Sequence, residues 1–474
     1  MLGLLIALIG VAASSFDAVH ELEEDAGLGL LFKLRGTKKP PSEVVIVSID
    51  RESSERLGLP DNPDRWPRSL HARLVERLAQ SGAQVIVFDL YFIDPRASTE
   101  DDRLALALRN AGNVILAEPL KARDIRTPSL GAVEHRIVQT IKPIPSIAQA
   151  AYASAPFVLP KIPIKVTQYW SFQTAAGDSP TFPVVAFQLY VMPAYDEFLR
   201  LLRKVEPSAA NAVTQTSEQL RSRGILRGIR EIRGVFENNP LLADRMTVEL
   251  QRSQGQRDPR TAAKVQSLIS MYGGADHRYL NFYGPPRTVR TFPLHEFVET
   301  SEPPRDLRGK AVFVGLSEIA LNERKDSFYT TFSRADGVFL SGVEIAATAF
   351  ANLLHNTPVT PITPQQLLAV VTIWGLLIAG IGRLTPTPIV PLAIALVSLV
   401  YLFAAVLKFQ WDGTWYPVVT PLFIQSPLAM IGAVLWNYLE TNRERQNIRK
   451  ALSHYVPDEV VDHLAANIVD MRRD

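Results

Sequence analysis

The chain has 474 residues, more than one ordinary hydrophobic core accommodates, so at least two structural regions are expected. Its 50 basic and 48 acidic residues leave a formal charge of +2 without a concentrated basic face, so no nucleic-acid partner is expected. Cysteine is absent, which excludes disulfides, thiolate metal sites and cysteine nucleophiles.

Residues 1–13 are apolar, but the run is short for a bilayer crossing and lacks the basic start of a cleavable signal peptide. Residues 1–16 therefore read as an N-terminal membrane anchor, clipped relative to a full one. The run Val44-Val-Ile-Val-Ser-Ile49 is β-branched and stops at Asp50, as a buried strand would. Residues 69–81 place Leu70, Leu74, Val75 and Leu78 on one helical face, with Ser69 as the expected N-cap and Gly82 as the stop. A second strand over 85–88 ends at Asp89, so a parallel pair with a right-handed crossover is expected. A helix over 101–110, a strand over 114–117 ending at Glu118 and a later strand over 311–314 continue the alternation. The fold class is α/β. Residues 120–195 are rich in proline and β-branched residues and read as irregular or edge strands. Residues 196–270 read as a charged helical insertion with solvated faces.

Open parallel sheets bind ligands beyond the carboxyl ends of their strands. Asp50, Asp89 and Glu118 lie there, with Ser317 and Glu318 after the last strand. Such an edge suits a cation, an amine or a hydrogen-bonding solute, and a metal through oxygen ligands; the alternative is that each acid caps a turn. The sequence contains no G-x-S-x-G elbow, no Walker loop and no H-E-x-x-H, and His71, His277, His295 and His355 share no ligand spacing. Gly284-Pro-Pro286 reads as turn chemistry. No catalytic residue, resident metal or cofactor is expected in this chain.

From residue 362 to 439 only Arg383, Lys408 and Asp412 interrupt an apolar stretch long enough for three membrane helices, over 363–382, 388–407 and 416–439. Arg443, Arg445, Arg449 and Lys450 follow, and the positive-inside rule places them in the cytoplasm. Three crossings then put residues 40–355 outside. The bilayer is the expected partner of 363–439, and residues 440–474 form a cytosolic linker helix.

Val44 to Asp50 followed by Trp66-Pro-Arg68, His71, Gly82-Ala83 and Phe88-Asp-Leu-Tyr-Phe92 resembles the opening of a CHASE2 domain, an extracellular sensor module of bacterial receptors. Tyr279-Leu-Asn-Phe-Tyr-Gly284, Leu307 to Gly315, Asp326 and Ser341-Gly-Val-Glu344 are similar to its closing half. The resemblance implies a sensor with an undefined extracytoplasmic ligand. Trp66, Arg68, Asp326 and Glu344 thereby join Asp50, Asp89 and Glu118 as candidate ligand-binding residues. Residues 447–466 resemble the helix that leads into a class III adenylate or guanylate cyclase domain, with Pro457, Asp458 and Glu459 opening a helix and Val460, Val461, Leu464 and Ile468 as its apolar stripe. That resemblance implies a homodimer regulating cAMP synthesis through a catalytic domain that these 474 residues do not reach. A histidine kinase, a serine/threonine kinase or a diguanylate cyclase remain open as outputs.

Overall fold

The computed structural model describes residues 2–452, apart from 61, 126–134, 161–163, 212, 214–215, 254–256, 300–304, 319–326 and 334–338. The chain divides into two compact units, residues 36–359 and residues 1–35 with 360–474.

In the first unit a six-stranded parallel sheet forms from β1 (Val44–Ile49), β2 (Val85–Asp89), β3 (Val114–Glu118), β4 (Ala153–Pro156), β5 (Thr291–Pro293) and β6 (Ala311–Leu316). Their spatial order is β5-β1-β6-β2-β3-β4. β1 and β6 are buried over nearly their whole lengths, which is why they read as continuous apolar runs. The expectation that β1 and β2 pair is corrected: they share the sheet in parallel, but β6 lies between them, with Val45 opposite Val312 and Val312 opposite Ile86. Periodicity shows a strand's burial and not its neighbour, so a distant strand is free to occupy the slot.

Helix α1 (Arg68–Gln80) packs Leu74, Val75 and Leu78 into the core, but Ser69 is not its N-cap. Pro67 occupies that position, and the Ser69 amide donates instead to the Glu100 carboxylate at 2.8 Å. Helix α2 (Ser98–Ala111) is closed by Gly112 in the left-handed region, φ 64°. Helix α3 (Gly342–His355) is buried on almost every residue and covers β6. Gly315 of β6 allows that approach: a Cβ there would lie 2.8 Å from Val343 Cβ and 3.1 Å from Asp89 Cβ.

Residues 120–195 contain an antiparallel hairpin and short irregular strands, and Gln168–Trp170 pairs with His277–Tyr279. Residues 195–273 are mainly helical, held by stacking of Phe198, Phe236 and Tyr272. The expectation of solvated charge fails at Arg233, which is buried and donates to the carbonyls of Tyr272 and Gly274 and to Asp276. A guanidinium replaces water there for backbone acceptors that would otherwise be unsatisfied.

In the second unit Leu2–Ser14 and Asp17–Arg35 are bent against each other by 84°. Among the described residues three helices are long and apolar enough to cross a membrane: Pro364–Leu384, Val390–Asp412 and Val419–Asn447. The last begins after Pro417 with a widened π-turn segment, Val419–Gln425. Glu23 accepts the amides of Val418 and Val419, and Trp374 Nε1 and Tyr401 OH donate to the carbonyls of Pro421 and Pro417. Those side chains satisfy backbone groups that a proline-broken helix start leaves exposed. Helix Ser426–Leu452 then continues without interruption. The cyclase-like helix expected beyond residue 452 lies outside the described residues.

Replacing Gly315 by alanine should overpack the β6–α3 contact and cost about 1–3 kcal/mol. Pulse proteolysis of the detergent-solubilised chain across a urea series measures this as a lower midpoint for residues 36–359; an unchanged midpoint contradicts the packing described.

Candidate functional site

The carboxyl ends of β1, β2, β3 and β6 form one edge of the sheet, and β1 delivers Asp50 to it. Asp50 is buried, and both oxygens are engaged. Oδ1 accepts the Ser53 amide at 3.0 Å and the Ser53 hydroxyl at 2.7 Å, which caps the helix Arg51–Arg56. Oδ2 accepts the Ser48 hydroxyl at 2.6 Å and Arg287 Nη2 at 3.2 Å.

Arg287 continues the bridge through its backbone. Its amide donates to Glu344 Oε1 at 2.6 Å, while Glu344 Oε2 closes a capping box with Ser341 at the start of α3. Arg287 has φ 63°, an uncommon conformation for a residue with a side chain. The turn is held by Thr288, whose amide and hydroxyl both donate to the Pro285 carbonyl, at 3.2 and 2.6 Å. Asp50 and Glu344 are thus joined by one arginine that the sequence showed only as the end of a Gly-Pro-Pro turn. Its two acids are saturated by protein donors, so this part of the edge braces β1 against α3.

The other acids are spread along the edge and do not converge. Asp89 is half-buried opposite Gly315, and the buried Glu118 accepts the Ser154 hydroxyl. Glu318 Oε1 accepts the Arg51 amide at 3.4 Å. Asp326 lies outside the described residues. Among the described residues no three histidines or acids gather as metal ligands.

Trp66 and Arg68 build a different feature, beyond the carboxyl end of β2. A pocket of about 320 Å³ opens there between the start of α1 and the loop 90–96. Its floor is Arg68, His71 and Phe92, all buried. The Arg68 guanidinium lies 4.5 Å from the Phe92 ring centre, and Nη2 donates to the Asp94 carbonyl at 3.1 Å. Its Nε meets Asp101 Oδ1 at 3.4 Å, an ion pair too loose to complete a hydrogen bond for either atom. Burial and the neighbouring Arg96 push the Arg68 guanidinium below its ordinary range, and Asp101 opposes them.

His71 is held edge-on by Phe88 and Phe92, at 6.2 and 5.6 Å between ring centres. Its Nδ1 is buried without a hydrogen-bond partner. Burial, reinforced by Arg68 and Arg96, pushes the imidazole down to about 3, so His71 is neutral. Trp66 is buried behind the rim, with Nε1 donating to the Pro60 carbonyl at 2.7 Å and its own carbonyl accepting Arg96. His71, Phe92 and Arg96 were not among the sequence-based site residues. His71 and Phe92 stood in the quoted motifs, whereas Arg96 carried no signal.

The family model of the CHASE2 domain matches residues 3–382. No curated protein and no solved structure matches the chain.

The buried imidazole gives a pH dependence of known sign. His71 binds its proton near pH 3 in the fold and near 6.5 when unfolded, so between these values the unfolded state holds more protons and stability falls with falling pH. The slope is about 1.4 kcal/mol per pH unit. His71→Phe should remove it, so the wild-type advantage in pulse proteolysis declines from pH 7 to pH 4. A difference that does not vary with pH contradicts this.

Proposed function

This chain belongs to the CHASE2 domain family, a family of sensor domains, and from that membership we propose that it is the sensing and membrane-anchoring part of a bacterial transmembrane receptor. Residues 36–359 are its sensor, outside the cytoplasmic membrane, and the three C-terminal helices are its passage through the bilayer. The basic residues Arg443, Arg445, Arg449 and Lys450 support a cytoplasmic C-terminus. The output is a class III nucleotide cyclase making cAMP, regulated in a homodimer. The chain acts through binding and needs no cofactor or nucleic acid.

The observation that carries this reading is the unbroken helix Ser426–Leu452, which leaves the membrane span and runs into the cyclase-like segment without a hinge. A continuous helix transmits rotation and translation, and a flexible linker does not. Ligand binding shifts the receptor between two states only through different affinity for them.

Fusing the chain to a class III catalytic domain tests the conduit. Two residues inserted after Tyr438 turn everything downstream by about 200°, whereas seven restore the phase to within about 20°. The two-residue insertion should change cAMP production severalfold and the seven-residue insertion should leave it near the parent value. Equal output from all three proteins contradicts helical transmission.

A further inference from the structure

The pocket beyond β2 has an interior that the protein does not satisfy. Of the Arg68 nitrogens, only Nη2 donates a hydrogen bond among the described residues, and Nε is buried without one. His71 makes ring contacts and no hydrogen bond among those residues. Arg68 Nε and His71 Nδ1 are sealed from the pocket, but Arg68 Nη1 and His71 Nε2 also make no hydrogen bond among the described residues and are not sealed, so on this lining they are the polar atoms that a bound molecule would meet.

The chemistry of that partner follows from the lining. Arg68 offers N–H donors and no acceptor, and a neutral imidazole with its lone pair on the sealed Nδ1 and its proton on Nε2 offers one more donor, so the complement is an acceptor group. The guanidinium is only loosely met by Asp101, which favours an anionic acceptor and in particular the planar carboxylate. A doubly charged anion is disfavoured: Arg68 and Arg96 are set against Asp64 and Asp94 on the walls and Asp101 beneath. Phe92, with Leu90 and Tyr91 beside it, supplies apolar surface for a short carbon skeleton. A volume of about 320 Å³ is at the small end for ligand sites and suits a small molecule.

We propose that this pocket is the ligand site of the receptor and takes a small organic monocarboxylate, its carboxylate on Arg68 and His71 and its carbon chain along Phe92 toward Tyr91. Asp64 and Asp94 at the mouth accept an ammonium group, so amino acids and simple short-chain acids share the recognised chemistry. The proposal rests on the receptor reading for the meaning of the site but not for its ligand class.

Isothermal titration of the full chain in detergent with four probes tests it: propionate, L-alanine, propionamide and inorganic phosphate. Saturable binding of propionate, L-alanine or both is expected, with propionamide at least tenfold weaker and phosphate without effect. Propionate alone identifies simple acids and L-alanine alone identifies amino acids, and either supports the site. Arg68→Lys, which keeps the charge but loses the fork, and His71→Phe should each weaken binding at least tenfold. Tyr91→Ala, at the exposed mouth, keeps the test valid if either buried variant fails to fold and should weaken binding severalfold. Absence of carboxylate binding, equal affinity for propionamide, binding of phosphate only, or affinity unchanged in the folded variants overturns the proposal. Carboxylate binding that leaves the cyclase output of the fusion unchanged overturns the receptor reading while the ligand class stands.

Discussion

Strand β6 occupies the slot between β1 and β2, and the organisation of residues 36–359 depends on that placement. The register leaves no slack: Val44 to Ile49 pair with Ala311 to Leu316 on one side, and Ala311 to Gly315 pair with Val85 to Asp89 on the other. The centre of the sheet is therefore completed by a segment from the far end of the domain. Loop closure over such a separation is entropically costly, and extensive burial of the strands on both sides offsets it. On the other side of β1, Arg287 in the turn before β5 ties Asp50 to Glu344. Removing one partner would leave buried charge unpaired, which is where the cost of such networks lies.

The edge separates two tasks that its acids alone would suggest are one. Around Asp50 every oxygen is met by a protein donor, and the cluster braces β1 against α3. Beyond β2 the arrangement is opposite: a buried arginine and a buried neutral histidine face a pocket with donors to spare. The two stand on β1 and β2, the strands on either side of β6. In the membrane unit a comparable rule operates in an apolar medium. Glu23, Trp374 and Tyr401 satisfy backbone groups at the start broken by Pro417 and Pro421, and the helix Ser426–Leu452 follows.

Much of this was legible in the sequence, for identifiable reasons. Continuous β-branched runs gave β1, β2, β3 and β6, and uniform hydropathy gave the three spans, since both signals reflect burial alone. The quoted motifs contained Trp66, Arg68 and His71, three residues that build the pocket or its wall. Strand order was not legible, because β6 resembles β2 in every local respect. Arg287 was missed since its role depends on a left-handed backbone at a proline turn, and Arg233 because a buried guanidinium looks in sequence like any surface charge. Ser69 misled as a cap because Pro67 precedes it and Glu100, from α2, supplies the acceptor.

The central claim is that sensor and output helix lie on opposite sides of one membrane, and the absence of cysteine makes it directly measurable. Leu241→Cys, at an exposed position of the sensor, and Glu444→Cys, at an exposed position of the last helix past the apolar stretch that ends at residue 439, each introduce one thiol. Treated with a membrane-impermeant maleimide, intact spheroplasts should label the cysteine at position 241 and spare the one at 444 until the membrane is disrupted. Labelling of 444 with protection of 241, or equal labelling of both, would contradict the account.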